Sequence, residues 1–82
     1  MVIFITSNSA FLEMKDLISS GKHSVWIAKN TLSESDLNFI YELDIEYTLL
    51  DSEVNTHDAN DLQCALSTIK EHHYNEHIWV QF

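Results

Sequence analysis

Two short runs near the start of the chain, Val2-Ile3-Phe4-Ile5 and Val25-Trp26-Ile27-Ala28, are apolar at every position. A strand wetted on one face alternates in polarity, so a run without a polar residue describes a strand covered on both faces. That demand restricts the fold more than any other feature, because it requires layers above and below a sheet. The intervening segments supply them. Ala10, Phe11, Met14, Leu17 and Ile18 recur at helical spacing behind the capping stretch Ser7-Asn8-Ser9. Ser19-Ser20-Gly21 ends that helix, with Gly21 suited to a left-handed C-cap.

In Leu32-Ser33-Glu34-Ser35-Asp36-Leu37, Ser33 can cap a second helix and Asp36 stands where a capping box places its acid. Leu32 and Leu37 have the spacing of a hydrophobic staple, and Leu37, Ile40, Tyr41 and Leu43 set the expected core arc. Ile45, Tyr47 and Leu49 alternate with Glu46 and Thr48, as in a strand with one wetter face. A third helix starts near Asp58 and carries Leu62, Ala65, Leu66, Ile69 and His73 on one stripe. Ile78-Trp79-Val80-Gln81-Phe82 closes the chain as a strand.

The order β-α-β-α-β-α-β predicts one acidic α/β domain over residues 1–82, a small three-layer sandwich around a mostly parallel four-stranded sheet. Strand order 2-1-3-4 is expected, with the first helix on one face and the other two opposite. The direction of the last strand stays open at this level.

At 82 residues and 45% apolar composition the chain reads as folded despite a net charge of −9. No apolar run approaches the ~18–20 residues of a membrane span, and Met1–Ile5 lacks the basic n-region of a signal peptide. Cys64 is the only cysteine, which fits a reducing, cytoplasmic setting without a disulfide. Arginine is absent and lysine numbers four, so neither phosphate backbones nor anionic membranes have clustered cations to meet.

The acids are distributed unevenly. Between Lys29 and Lys70 there is no positive side chain, whereas Glu34, Asp36, Glu42, Asp44, Glu46, Asp51, Glu53, Asp58 and Asp61 all fall there. Acids in a first helical turn are favoured by the macrodipole by about 0.3–1 kcal/mol each and need no partner. That accounts for Glu34, Asp36, Asp58 and Asp61 singly, but not for the missing lysines. In a parallel α/β sheet, helix amino ends and strand carboxyl ends share one edge. The expected partner-binding set is therefore Glu34, Asp36, Asp51, Glu53, Asp58 and Asp61, extended by Glu42 and by Phe39 as a half-exposed aromatic anchor.

Other constellations carry less. Thr48-Leu49-Leu50-Asp51 resembles the phosphoacceptor strand of response-regulator receiver domains. That resemblance implies a receiver-like regulatory module. The position after the first strand, where receivers hold Mg²⁺ with paired acids, reads Thr6-Ser7-Asn8-Ser9. His72, His73 and His77 with Glu71 and Glu76 look like a metal cluster, but His73 continues the buried stripe and reads as a packed, hydrogen-bonded histidine. No nucleophile elbow, P-loop or dinucleotide fingerprint occurs, so no cofactor and no catalysis are expected.

The expectation is a protein that acts by binding a basic protein. Its most concrete form is a bacterial immunity protein or antitoxin that occludes the cationic cleft of a nuclease toxin. In size, acidity and parallel-sheet character the chain is similar to the barstar class of ribonuclease inhibitors, an analogy carried by no motif. A phage anti-defence protein or nucleic-acid mimic shares this electrostatic logic.

Overall fold

A computed structural model describes residues 1–82. The strands are β1 (Val2–Ile5), β2 (Ser24–Ile27), β3 (Tyr47–Leu49) and β4 (Ile78–Gln81). The helices are α1 (Asn8–Ser19), α2 (Glu34–Glu42) and α3 (Ala59–His72), giving the expected alternation. All three strand pairings are parallel, β4 included. The α/β sandwich is therefore as the sequence predicts, and the direction of the last strand is settled.

The strand order is β3-β2-β1-β4, not the expected 2-1-3-4. The physical reason lies in coverage. β1 is buried at all four positions and Val25–Ile27 of β2 at all three, so these two strands occupy the centre. β3 is short, has no fully buried residue and is preceded by Glu46, so it belongs at an edge.

This order redistributes the helices. Successive right-handed crossovers from β1 to β2 and from β2 to β3 travel the same way, which puts α1 and α2 on one face. The return from β3 to β4 travels back across the sheet and leaves α3 alone on the other. Core contacts follow the same division. Ile3, Ile5, Val25 and Ile27 pack with Phe11, Met14 and Ile18 of α1 and Ile40 of α2. Val2, Phe4, Trp26 and Ala28 pack with Ala65 and Ile69 of α3.

The caps form as their residue types dictate. The Ser7 hydroxyl accepts from the Ala10 amide at 3.0 Å. Ser33 Oγ accepts from the Asp36 amide at 3.3 Å and donates to Asp36 Oδ2 at 3.1 Å. Asp58 Oδ1 accepts from the Asn60 amide at 2.9 Å. Each supplies an acceptor to amides that the first helical turn leaves without one.

The expected core arc of α2 needs one exchange. Tyr41 is 72% exposed and Leu43 is exposed as well, whereas Phe39 is half-buried against the α1–α2 cluster. The buried side of this helix runs through Leu37, Phe39 and Ile40, because Phe39 meets Phe11 edge-to-face at 6.3 Å. Lys15 Nζ then lies 4.3 Å from the Phe39 ring centroid and covers it.

A candidate partner-binding edge

Glu34 and Asp36 open α2, Asp58 and Asp61 stand at the start of α3, and Asp51 and Glu53 follow β3. Topology thus brings these six carboxylates to the edge formed by strand carboxyl ends, as expected. They do not occupy the topological switch point. The order of strand addition reverses between β1 and β4, where the Thr6 hydroxyl donates to the Gln81 carbonyl at 2.7 Å and ties the strand ends together. The acids lie on the β2–β3 side of the edge. Glu42 does not join them: it ends α2 at the opposite, amino-terminal edge of the sheet, near Asp44 and Glu46.

Hydrogen bonding divides the six. Asp36 and Asp58 are occupied as capping residues, and Asp36 also accepts from Asn8 Nδ2 at 2.8 Å. Asp61 Oδ2 accepts from the Asn55 amide at 2.7 Å, and Glu53 Oε1 from Asn30 Nδ2 at 3.0 Å. Glu34 and Asp51 are exposed and make no side-chain hydrogen bond. None of the nine acids between Glu34 and Asp61 forms an ion pair; both ion pairs of the molecule are made by Glu76. Lys29, the one cation nearby in sequence, shares a cleft with Glu53 and Asp61 without pairing to either.

Phe39 does not serve as the free aromatic of this surface, since Phe11 and Lys15 already cover it. Tyr41 is the exposed aromatic of α2 instead, and it lies seven residues, two helical turns, beyond Glu34. No sequence signal marks it: Tyr41 stands four residues after Leu37, on the same side of a helical wheel, and only the position of α1 leaves it outside.

A groove accompanies the acids. One helix covers the α3 face of a four-stranded sheet, which leaves a cleft of about 410 Å³ beside α3. Trp26 and Thr48 line it from the sheet, Cys64, Thr68 and His72 from α3, and Asp51, Glu53 and Asp61 from its acidic end. Sequence reasoning missed this groove because it placed two helices on that face. A second cleft of about 360 Å³ opens on the other side of Asp51, between Leu32, Leu37 and Leu49.

The remaining constellations resolve plainly. Asp51 follows an edge strand, so the receiver arrangement, in which the phosphoacceptor strand lies beside the first strand, is not formed. His73 is tucked under Trp26 at 5.9 Å between ring centroids and bonds Glu76 through Nδ1. That hydrogen bond, together with the nearby histidine charge and the chain amino group, holds the Glu76 carboxyl below its ordinary value of 4.5. No group of three His, Cys, Asp or Glu side chains is placed to hold a metal ion. No helix is long and apolar enough to cross a membrane.

Comparison with family models, with curated proteins and with solved structures returned no match.

Proposed function

We propose that this protein acts by capturing a cationic protein, in its most concrete form as an immunity protein or antitoxin that covers the basic cleft of a nuclease. One observation carries the reading: the nine carboxylates between Lys29 and Lys70 form no intramolecular ion pair, and six of them share one edge of the sheet. Unpaired like charges held close oppose folding, and an external cation relieves that repulsion. Three of the carboxylates are also held in place, Asp61 by the Asn55 amide, Asp36 by Asn8 and Glu53 by Asn30, so little ordering is needed on binding. Clefts that cleave RNA or DNA are lined with cations that bind phosphate, and fixed carboxylates meet the same groups. The groove beside Trp26, whose acidic end holds Asp51, Glu53 and Asp61, supplies apolar contact that charge alone does not.

The test is capture at low salt from a lysate of the source cells, followed by a nuclease assay on whatever is retained. A basic nuclease domain is expected, with cleavage stopped by a stoichiometric amount of this chain. Glu34→Lys with Asp51→Lys removes two acids that hold no internal hydrogen bond, so the fold stands while capture is lost. Undiminished capture by that double variant would sink the proposal.

A further inference from the structure

Nine acids lie between Lys29 and Lys70, and the four outside that stretch are balanced by the four lysines. The strand order converts this division along the chain into a division across the molecule. β3, the acidic edge, and β4, the opposite edge, are three strand spacings apart, or about 14 Å at ~4.8 Å each. Salt at physiological strength screens charges beyond about 8 Å. The β4 edge is therefore electrically separate from the region that gives the chain its net charge.

β4 is short, at four residues, but it has neither the lysine nor the proline nor the interrupting charge that guard many edge strands. It runs Ile78-Trp79-Val80-Gln81 without an ionisable residue. Acids around it are already engaged. Glu76 meets the Met1 ammonium at 3.5 Å and His73, and Glu13 Oε2 accepts from Gln81 Nε2 at 2.6 Å.

The backbone of this edge is set to receive a strand. The Val2 amide donates to the His77 carbonyl and the Thr6 amide to the Gln81 carbonyl, so the odd-numbered residues of β4 face β1. Alternation along a strand then turns the amides and carbonyls of Ile78 and Val80 outward. Beside them stand Trp79, 51% exposed, and Phe82, 60% exposed. The Trp79 ring is held in place, because its Nε1 donates to Gln81 Oε1 at 2.8 Å and Gln81 is anchored to Glu13 of α1. Its polar atom is satisfied internally, and the ring is an ordered apolar surface that loses little freedom when covered.

We infer that β4 is a self-association edge, at which a second copy of this chain pairs antiparallel about a two-fold axis to make one continuous eight-stranded sheet. Such pairing is isologous and needs no charge complementarity, which suits a neutral edge on a chain of charge −9. Ile78 exchanges backbone hydrogen bonds with Val80 of the second copy, and Trp79 stands opposite Trp79 of the second copy. The acidic edges then point outward at the two ends of the dimer. This pairing does not depend on what the acidic edge binds.

Sedimentation velocity on the whole chain in about 0.15 M salt, from about 1 μM to about 200 μM, tests it. Mass should rise with concentration from 9.5 kDa toward twice that value. Trp79→Glu, which removes the aromatic contact and sets like charges opposite one another across the interface, should weaken dimerisation at least ~100-fold, while Leu43→Ala, at an exposed residue after α2, should leave it unchanged. Amide exchange of the unaltered protein gives a second measure that needs no variant. Ile78 and Val80 should gain protection of about tenfold or more at high concentration, as buried ladder amides do. A mass of 9.5 kDa throughout, an undisturbed dimer in a folded Trp79→Glu variant, or concentration-independent exchange at Ile78 and Val80 would each overturn the inference.

Discussion

At one end of the sheet β3 is three residues long, with Glu46 before it and Asp51 shortly after. At the other, β4 is four residues long, uncharged, and carries Trp79 half in solvent. Both are parallel edge strands bonded to one neighbour, so backbone geometry alone would make them equally open to further pairing. Charge separates them. Repulsion at β3 rejects a strand from another copy of the same chain while attracting a cationic surface, whereas β4 offers nothing to attract a charged partner and nothing to repel a copy. One small domain thereby carries two edges of unlike charge.

Exchanging charge at the β3 end attacks this contrast most directly. Glu34→Lys with Asp51→Lys is expected to slow capture of a cationic partner by about 100-fold at low salt, measured by stopped-flow association, with sedimentation unaltered. In the native protein the same association should slow as salt rises and the Debye length falls from ~30 Å at 0.01 M to ~10 Å at 0.1 M. Capture that ignores salt would transfer the attraction from the acids to the groove beside Trp26.

A smaller effect sharpens which acids are structural. Asp58→Ala removes the cap of α3 and should cost about 1 kcal/mol in urea unfolding, whereas Asp51→Ala, at an acid without a hydrogen bond, should cost nothing or stabilise slightly. Equal losses would mean that Asp51 supports the fold through contacts other than hydrogen bonds.

Smaller again is the effect at the amino-terminal edge near β3. Asp44 adopts φ 56 at the end of α2, a left-handed conformation that suits glycine, and its charge opposes the helix dipole there. Asp44→Gly should stabilise the protein by about 0.5–1 kcal/mol in the same unfolding assay.

The last prediction concerns the β4 side, where Glu76 is held below its ordinary value by His73. A carboxyl with a lowered folded value contributes stability that is fully present above the unfolded value and is lost as pH falls through the folded one. Relative to Glu76→Gln, the native protein should therefore lose stability as pH falls below about 4.5, so the gap between their unfolding midpoints should narrow there. An unchanged gap would show that the clasp between His73 and Glu76 contributes nothing to folding.

Much of this was legible from residue order, and the reasons are local. Val2–Ile5 and Val25–Ala28 had to be inner strands because nothing in them tolerates water, and Ser7, Ser33 and Asp58 had to cap because their oxygens reach the first free amides. The gathering of Glu34, Asp36, Asp51, Glu53, Asp58 and Asp61 at one edge followed from parallel topology. Where Glu42 stands is not legible in this way, because helix length decides which edge the end of α2 reaches. Phe39 and Tyr41 were interchanged because an apolar arc read on a wheel does not say where the neighbouring helix stands; Phe11 and Lys15 made Phe39 part of the interior.

By itself the sequence determined the elements, their parallel alternation and the confinement of unbalanced charge to residues 34–61, because propensity, capping and charge act through near neighbours on the chain. Tertiary structure alone decided that β1 and β2 lie at the centre, that α3 covers its face singly and that β3 and β4 stand at opposite ends. Those outcomes depend on which strand can bear exposure on a flank, a comparison among distant segments. Only that comparison turns a stretch of acids into one edge of a molecule and leaves the other edge free of them.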